Sequence, residues 1–498
     1  MLPCEVIEEI MRIVIHDQFT SHSLCRFRRT AYAWFSQVLH VCRYLRHVSL
    51  RCPALWSYID TSWNHLVETL IQMSLSASLT VIVQFNEQPT MQDNNAIHLV
   101  LGEMHRVKNV QFHGEALALD FLRFTLPSST PNLETLVLTS TILSGFPNTL
   151  IKCLQNISDE EEGDLRLRKL FIFNVAVPTD INPCMLRGLR YLKISAFFDW
   201  GHTGPSYIPN ASNVCQIIEI LSQCQNLVEF EFNDYHNLHP SGESDPDDFA
   251  ALVALPRLQR LHLTLHANSC ISLLRHISLP PGVSLYMSGE YNIGPNSTIP
   301  PECLAGYKCI NVHTSDGLTI TADIPNQQTL EIHIPSRRWE ELSWEDLCKI
   351  VSCILGPSLR EVETLILDDY SSIFSQNLGS KEALKPLLAS LSHIERLQMS
   401  FVTRSTVENL VDALSDTTST DVTCPKLRIF ELHNKTPTRS VTSDFKASTW
   451  AKVISCISWR RELGACLERL DISDCGHAIP DAEQICILSS LVGDLRLS

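Results

Sequence analysis

The stretch Leu467-Glu468-Arg469-Leu470-Asp471-Ile472-Ser473-Asp474-Cys475 places apolar residues at its first, fourth and sixth positions and a cysteine at its ninth. Leu470 and Ile472 are two apart, so in an extended chain they share one face, and Arg469, Asp471 and Ser473 take the other. The same 1-4-6 spacing recurs at Val107/Val110/Phe112, Leu133/Leu136/Leu138, Leu167/Leu170/Ile172, Leu189/Leu192/Ile194 and Leu227/Phe230/Phe232. It continues at Leu258/Leu261/Leu263, Val362/Leu365/Leu367, Ile394/Leu397/Met399 and Leu427/Phe430/Leu432. One phrase repeated along a chain means one structural unit repeated, each burying its apolar face only by stacking on its neighbours.

Between the copies lie stripes at helical spacing. Leu66, Leu70, Met73 and Ala77 come before the alternating Leu79/Val81/Val83/Phe85. Val214/Ile217/Ile218/Leu221, Leu347/Ile350/Val351/Ile354 and Leu384/Leu387/Leu388/Leu391 each precede a copy. So do Val407/Leu410/Val411/Leu414 and Trp450/Val453/Ile454/Ile457. Ser343-x-x-Asp346 and Ser405-x-x-Glu408 read as capping boxes at two helix starts. Strands reached through helices run parallel, with right-handed crossovers.

The L-x-x-L-x-L-x-x-N/C spacing resembles the leucine-rich repeat. The expected fold is therefore α/β, a right-handed leucine-rich-repeat solenoid with a parallel concave sheet and helices outside, over residues 63–498. The mean spacing of roughly 30 residues sits at the long end for such repeats. Weak copies fall at Val283/Leu285/Met287, Tyr307/Ile310/Val312 and Gln327/Leu330/Ile332. Ser288–Pro301, rich in Gly, Pro and Asn, cannot be helix, and Val312–Ile320 reads as a hairpin around Ser315-Asp316-Gly317. Helices are expected to be missing here, with the array flatter.

The totals agree with a folded repeat protein. The chain has 498 residues, 44% hydrophobic and 19% charged, too long for one compact core and too apolar for disorder. A net charge of −16 argues against a general phosphate-binding surface, and no nucleic-acid partner is expected. No apolar run reaches the ~18 residues of a membrane span. The 18 cysteines are scattered without a C-x-x-C pair, which reads as reduced thiols in a cytoplasmic or nuclear protein. Two acidic runs, Ser158–Glu162 and Glu243–Asp248, read as solvated loops, with phosphorylation at Ser158 or Ser244 as the functional alternative.

The first 62 residues differ from the rest. Pro3 suits a first helical turn, Glu5, Glu8 and Glu9 favour the positive helix end, and Val6, Ile10, Ile13 and Val14 form a stripe. A second stripe, Val38, Val41, Cys42, Leu45 and Val48, precedes Cys52-Pro53, where the proline ends the helix and Leu55-Trp56 offers an apolar anchor. Leu2-Pro3-x-Glu5-Val6-x-x-x-Ile10, then Val41-Cys42-Arg43-x-Leu45-Arg46, then Leu55-Trp56 resembles the F-box, in particular the F-box-like domains of fungal families with leucine-rich repeats. Leu45 stands where that family has an aromatic residue. The resemblance implies a small all-α module that docks the Skp-type adaptor of cullin-based (SCF-type) ubiquitin ligases. Leu2, Pro3, Val6, Ile10, Val41, Cys42 and Leu45 would form the docking face. The alternative is a helical cap closing the end of a plain interaction scaffold.

No nucleotide-binding, nucleophile-elbow or H-E-x-x-H motif occurs, and no catalytic, cofactor or metal residue is assigned; the chain is not read as an enzyme. His262 and His266 share a strand face, but no Cys or carboxylate nearby completes a ligand set. The outward positions of the strands instead line up as a mixed-charge groove: Glu229, Glu231, Arg260, His262, Glu331, Arg396, Glu431 and Arg469, with Lys193, Ser195 and Ser400 in the same rows. Such a groove suits a polar segment of a protein substrate.

Overall fold

The computed structural model describes residues 3–20, 40–84, 90–114, 132–140, 166–173, 186–196, 214–234, 252–265, 267–280, 282–289, 309–314, 317–324, 328–335, 351–352, 355–369, 381–400, 404–415, 422–433, 447–472 and 480–497. They form a mixed α/β structure in two compact units, Met1–Val228 and Glu229–Ser498.

Among the described residues the first unit begins with α1 (Cys4–Thr20), and α2 (Arg43–Arg51) follows a helical His40–Val41. The stripe expected to run through Val41 and Cys42 is broken. Cys42 is extended and caps α2, its Sγ accepting from the Leu45 backbone N–H at 3.4 Å. Val41 therefore lies outside the helix that carries Leu45. Ile7 and Met11 of α1 are buried, as is Val48 of α2, and the Ser49 hydroxyl lies 3.6 Å from Met11 Sδ. Leu55 and Trp56 are buried in the 3₁₀ turn Pro53–Trp56, and Trp56 Nε1–H donates to the Ser49 carbonyl at 2.9 Å.

Strand β1 (Tyr58–Asp60) follows and pairs in parallel with β2 (Leu79–Gln84), reached through α3 (Val67–Ser74). Helix α4 (Met91–Gly102) opens with a capping box, Thr90 and Asp93 each accepting from the other's backbone N–H. The parallel ladder continues through β3 (Val107–Gly114), β4 (Thr135–Ser140), β5 (Lys169–Phe173) and β6 (Tyr191–Ala196), and α5 (Val214–Gln223) closes the unit. Two buried columns run across these strands in register: Val81–Val110–Leu136–Leu170–Leu192 and Val83–Phe112–Leu138–Ile172–Ile194.

In the second unit β7 (Glu229–Asp234) pairs in parallel with β9 (Arg260–Thr264), and β9 with β11 (Ser284–Ser288). A separate short pair joins β8 (Val253–Ala254) to β10 (Ile277–Ser278), either side of α6 (Ala267–Arg275). Succession in one parallel sheet then fails. Strands β12 (Cys309–Thr314), β13 (Gly317–Ile324) and β14 (Gln328–Pro335) form an antiparallel meander. Its last strand lies beside β11 and its first beside β15 (Thr364–Asp369), so spatial order is the reverse of chain order. The cause is the missing helix: strands joined by short turns fold back on each other. The expected hairpin is present, with Val312 opposite Ile320. Both flanking pairings remain parallel, so the ladder resumes on the far side.

From β15 the helix–strand alternation returns: α7 (Lys381–Ser390), β16 (Arg396–Ser400), α8 (Arg404–Leu414), β17 (Ile429–His433), α9 (Ala447–Glu462), β18 (Arg469–Asp471), α10 (Ala482–Leu491) and β19 (Asp494–Arg496). All five strands pair in parallel. Helix α8 already begins at Arg404, so Ser405 lies inside it and is not its N-cap; the proposed cap at Ser343 lies outside the described residues. A capping box does open α10, formed by Asp481 and Gln484. The predicted stripes Leu384/Leu387/Leu388/Leu391, Val407/Leu410/Val411/Leu414 and Trp450/Val453/Ile457 are buried, with Ile454 half-buried, and so is the strand column Leu365–Leu397–Phe430–Leu470. Arg460 of α9 is also fully buried. Its Nη1 and Nη2 donate to the Thr423 and Cys424 carbonyls at 2.7 and 2.8 Å, tying the helix to the turn before β17.

Leu470 has no exposed surface and stands in register between Phe430 and Leu495. Leu470→Ala is expected to cost about 2–5 kcal/mol in equilibrium denaturation, the range for a leucine deleted from a packed core. A cost under about 1 kcal/mol would contradict a core at this position.

Candidate interaction surface

Because inward residues alternate with outward ones, the register that stacks the core also aligns the residues opposite to it. In the second unit one outward row runs Glu231–His262–Tyr286–Glu331, crosses the meander at Thr321 and Asn311, and continues Ile366–Gln398–Glu431–Asp471. A flanking row pairs Glu229 with Arg260, and Arg396, Ile429 and Arg469 with one another further along. All eight residues assigned to partner binding therefore lie in two adjacent rows of one sheet.

Their charges are largely matched inside the protein. Arg260 Nη2 is 2.7 Å from Glu229 Oε2, and Arg469 Nε is 3.2 Å from Asp494 Oδ2. Asn233 Nδ2 donates to Glu231 at 2.8 Å. Arg396 donates through Nε and Nη2 to Glu431 Oε2 at 3.1 and 2.7 Å, and His433 Nε2 stands 3.8 Å from the same oxygen.

The rows are not uniformly open. Glu431, expected to face solvent, is buried, and so are Ser195 and Ser400 at the ends of β6 and β16. Alternation fixes which face a side chain takes, while neighbouring bulk fixes how much water reaches it, and small side chains at strand ends are readily overshadowed.

Tyr286 is the residue that sequence reasoning passed over. It sits between Leu285 and Met287 in a weak copy, and its ring lies 4.1 Å from that of His262 at a tilt of 58°. Burial raises its phenol pKa, a hydrogen bond with the Ser288 side chain lowers it, and the Glu331 charge raises it. His262 Nε2 is 3.2 Å from Thr264 Oγ1. An aromatic flanked by His262 and Glu331 is the kind of half-buried anchor on which protein interfaces concentrate their binding energy. In the first unit the outward face carries aromatic and cationic residues together, with Lys169 Nζ 5.0 Å from the Tyr191 ring centroid and Lys193 Nζ 5.8 Å from that of Phe173.

At the N-terminus, Val6, Ile10 and Val41 are 41%, 48% and 66% exposed, and Pro3 and Cys42 are exposed too. Leu45 is half-buried, and Leu2 lies outside the described residues. Helix α1 thus packs through Ile7 and Met11 and leaves Val6, Ile10 and Ile13 outward.

Among the described residues no cluster of His, Cys, Asp or Glu could hold a metal, and His266 is outside them. No described helix is long and apolar enough to cross a membrane. Burial pushes the thiols of Cys224, Cys270 and Cys424 up to about 12, which leaves them protonated and poor nucleophiles. The acidic runs at 158–162 and 243–248 also lie outside the described residues.

No family model matches the chain, and no curated protein matches it. Among solved structures it is similar to the complex of Rad7 and Elc1 in yeast, at 14% identity over 88% of this chain and 92% of that one, with a TM-score of 0.29. It is also similar to the complex of TLR13 with ssRNA13, at 15% identity over 74% of this chain and 52% of that one, with a TM-score of 0.26. Likenesses this distant carry no conclusion about fold or partners.

The two ion pairs make a direct comparison. Arg260→Ala breaks an exposed pair and is expected to change stability by under about 1 kcal/mol. Arg396→Ala leaves the buried Glu431 carboxylate without its guanidinium and is expected to cost about 1–3 kcal/mol. Urea denaturation of the two variants measures the difference, and equal losses would contradict the distinction.

Proposed function

We propose that this chain is the substrate-recognition subunit of an SCF-type, cullin-based ubiquitin ligase. Its N-terminal helices dock a Skp-type adaptor, and its repeats form a right-handed leucine-rich-repeat solenoid that holds the target protein. The observation that carries this reading is the division of labour on α1. Ile7 and Met11 serve the fold, and Val6, Ile10 and Ile13 remain outward, with Val41 also exposed nearby in the same motif. A helical cap that only closed the array would need its inward stripe and nothing apolar on the other side. Exposed apolar residues that recur at helical spacing are what a partner's groove takes up.

The target is read as a polar segment laid across the outward rows of the second unit, with Tyr286 as its aromatic anchor. Matched charges at Glu229/Arg260 and Arg396/Glu431 leave little net field there, so specificity comes from the pattern of pairs and not from overall attraction. The chain contributes no bond-making step. Its role is to hold a lysine-bearing protein near a ligase that does the chemistry.

A pull-down with a purified Skp-type adaptor tests the first half. The wild type is expected to retain the adaptor, and Val6→Asp/Ile10→Asp to lose it by at least about tenfold, as burial of two apolar side chains implies. Thermal unfolding should be unchanged, since both residues are exposed. No retention by the wild type, or equal retention by the variant, would remove the ligase reading and leave the scaffold. The swap Glu229→Arg/Arg260→Glu, which keeps the ion pair and inverts its pattern, should abolish target turnover while sparing adaptor binding. Unchanged turnover would place the target elsewhere.

A further inference from the structure

The last described strand of the second unit, β19, pairs with β18 on one side. The Asp494 N–H donates to the Glu468 carbonyl at 2.8 Å, and the Ile472 N–H donates to the Arg496 carbonyl at 2.9 Å. Backbone groups alternate in direction along a strand, so the N–H and C=O of Leu495 point to the other side. Among the described residues no strand meets them, and Asp494 and Arg496 are exposed. Gly493 and Leu497 point the same way as Leu495 when the strand is continued by one residue at each end.

This edge is its own complement. In an antiparallel pairing about a two-fold axis at Leu495, Leu495 exchanges both backbone hydrogen bonds with Leu495 of the second copy. Asp494 then stands opposite Arg496 of the second copy, and Arg496 opposite its Asp494. These are the closer, non-hydrogen-bonded pairs, in which side chains meet. Leu497, 38% exposed, falls opposite Gly493 of the second copy. Gly493 has no room for a side chain, since a Cβ there would lie 3.0 Å from the Glu468 carbonyl oxygen. A large apolar side chain at the edge thus meets a residue that has none. Within one copy Asp494 Oδ2 is 3.2 Å from Arg469 Nε and 3.0 Å from Arg496 Nε, exposed pairs that can be shared or re-formed at little cost.

We infer that β19 pairs with β19 of a second copy of this chain, continuing the sheet across a two-fold axis. A strand with one sign of charge would match only half of this edge, whereas Asp-Leu-Arg read in reverse matches both ends. The contact is short, so the dimer is weak and concentration-dependent.

Sedimentation equilibrium of the full chain, from about 1 µM to about 1 mM, covers the affinities a small interface can reach. The wild type is expected to show a monomer–dimer equilibrium. Asp494→Arg and Arg496→Asp each set like charges opposite one another and should weaken it by at least about tenfold. The double variant Asp494→Arg/Arg496→Asp restores opposite charges and should recover the wild-type constant to within about threefold. A wild type that stays monomeric throughout overturns the inference. So does a dimer that the single variants leave unchanged, or one that the double variant fails to restore. A swap that serves only the pairing within one copy would move thermal stability and not the association constant.

Discussion

Stacking of two inward side chains per strand, in register with the two on the next strand, is the constraint on which the rest of the structure depends. Leu136 and Leu138 lie on Val110 and Phe112 and beneath Leu170 and Ile172, and all six are buried. A slip of one residue would turn every pair outward and its polar neighbours inward, at a cost of several buried leucines per strand. Helices enter because a parallel neighbour cannot be reached by a tight turn. Where the chain supplies no helix, between β12 and β14, it solves the same problem by reversing direction twice. Ile320 and Ile332 face each other in one column and Ile310 joins Leu365 in the other; all three stay buried, so burial survives the change of strand direction.

That constraint also explains what the sequence could and could not disclose. Period-two apolar pairs such as Leu470/Ile472 locate strands with little ambiguity, and every described copy became one or supplied one. Strand direction and spatial order are different matters, since a pattern of alternation reads the same forwards and backwards. The reversed order of β12, β13 and β14 was therefore invisible, although the hairpin turn was not. Burial of Glu431, Ser195 and Ser400 depends on neighbours contributed by other strands. Two caps were readable and passed over: Thr90-x-x-Asp93 and Asp481-x-x-Gln484 are as plain as Ser405-x-x-Glu408, which turned out to lie inside its helix. In α1 the sequence offers two stripes, Val6/Ile10/Ile13 and Ile7/Met11, one position apart. Only the packing of Ser49 and Met11 decides which one turns inward.

The candidate site was legible in its rows and not in its centre. The eight residues of the outward rows stand side by side in register, because that follows from alternation and strand pairing alone. Tyr286 was missed because its copy is weak and its neighbours, not its own motif, make it an anchor. The pairing of Glu229 with Arg260 and of Arg396 with Glu431 follows from register between strands about 30 residues apart in sequence, as the repeat spacing requires. Charged pairs at such spacing are a signal that a repeat sequence carries and that single-strand reading overlooks.

The central claim is that the N-terminal helices exist to hold an adaptor. Hydrogen–deuterium exchange of the full chain, with and without a saturating Skp-type adaptor, addresses it without any substitution. The account predicts added protection in Cys4–Thr20 and Arg43–Arg51, with the strands of both units unchanged. Protection confined to the strands, or no protection anywhere, would contradict it.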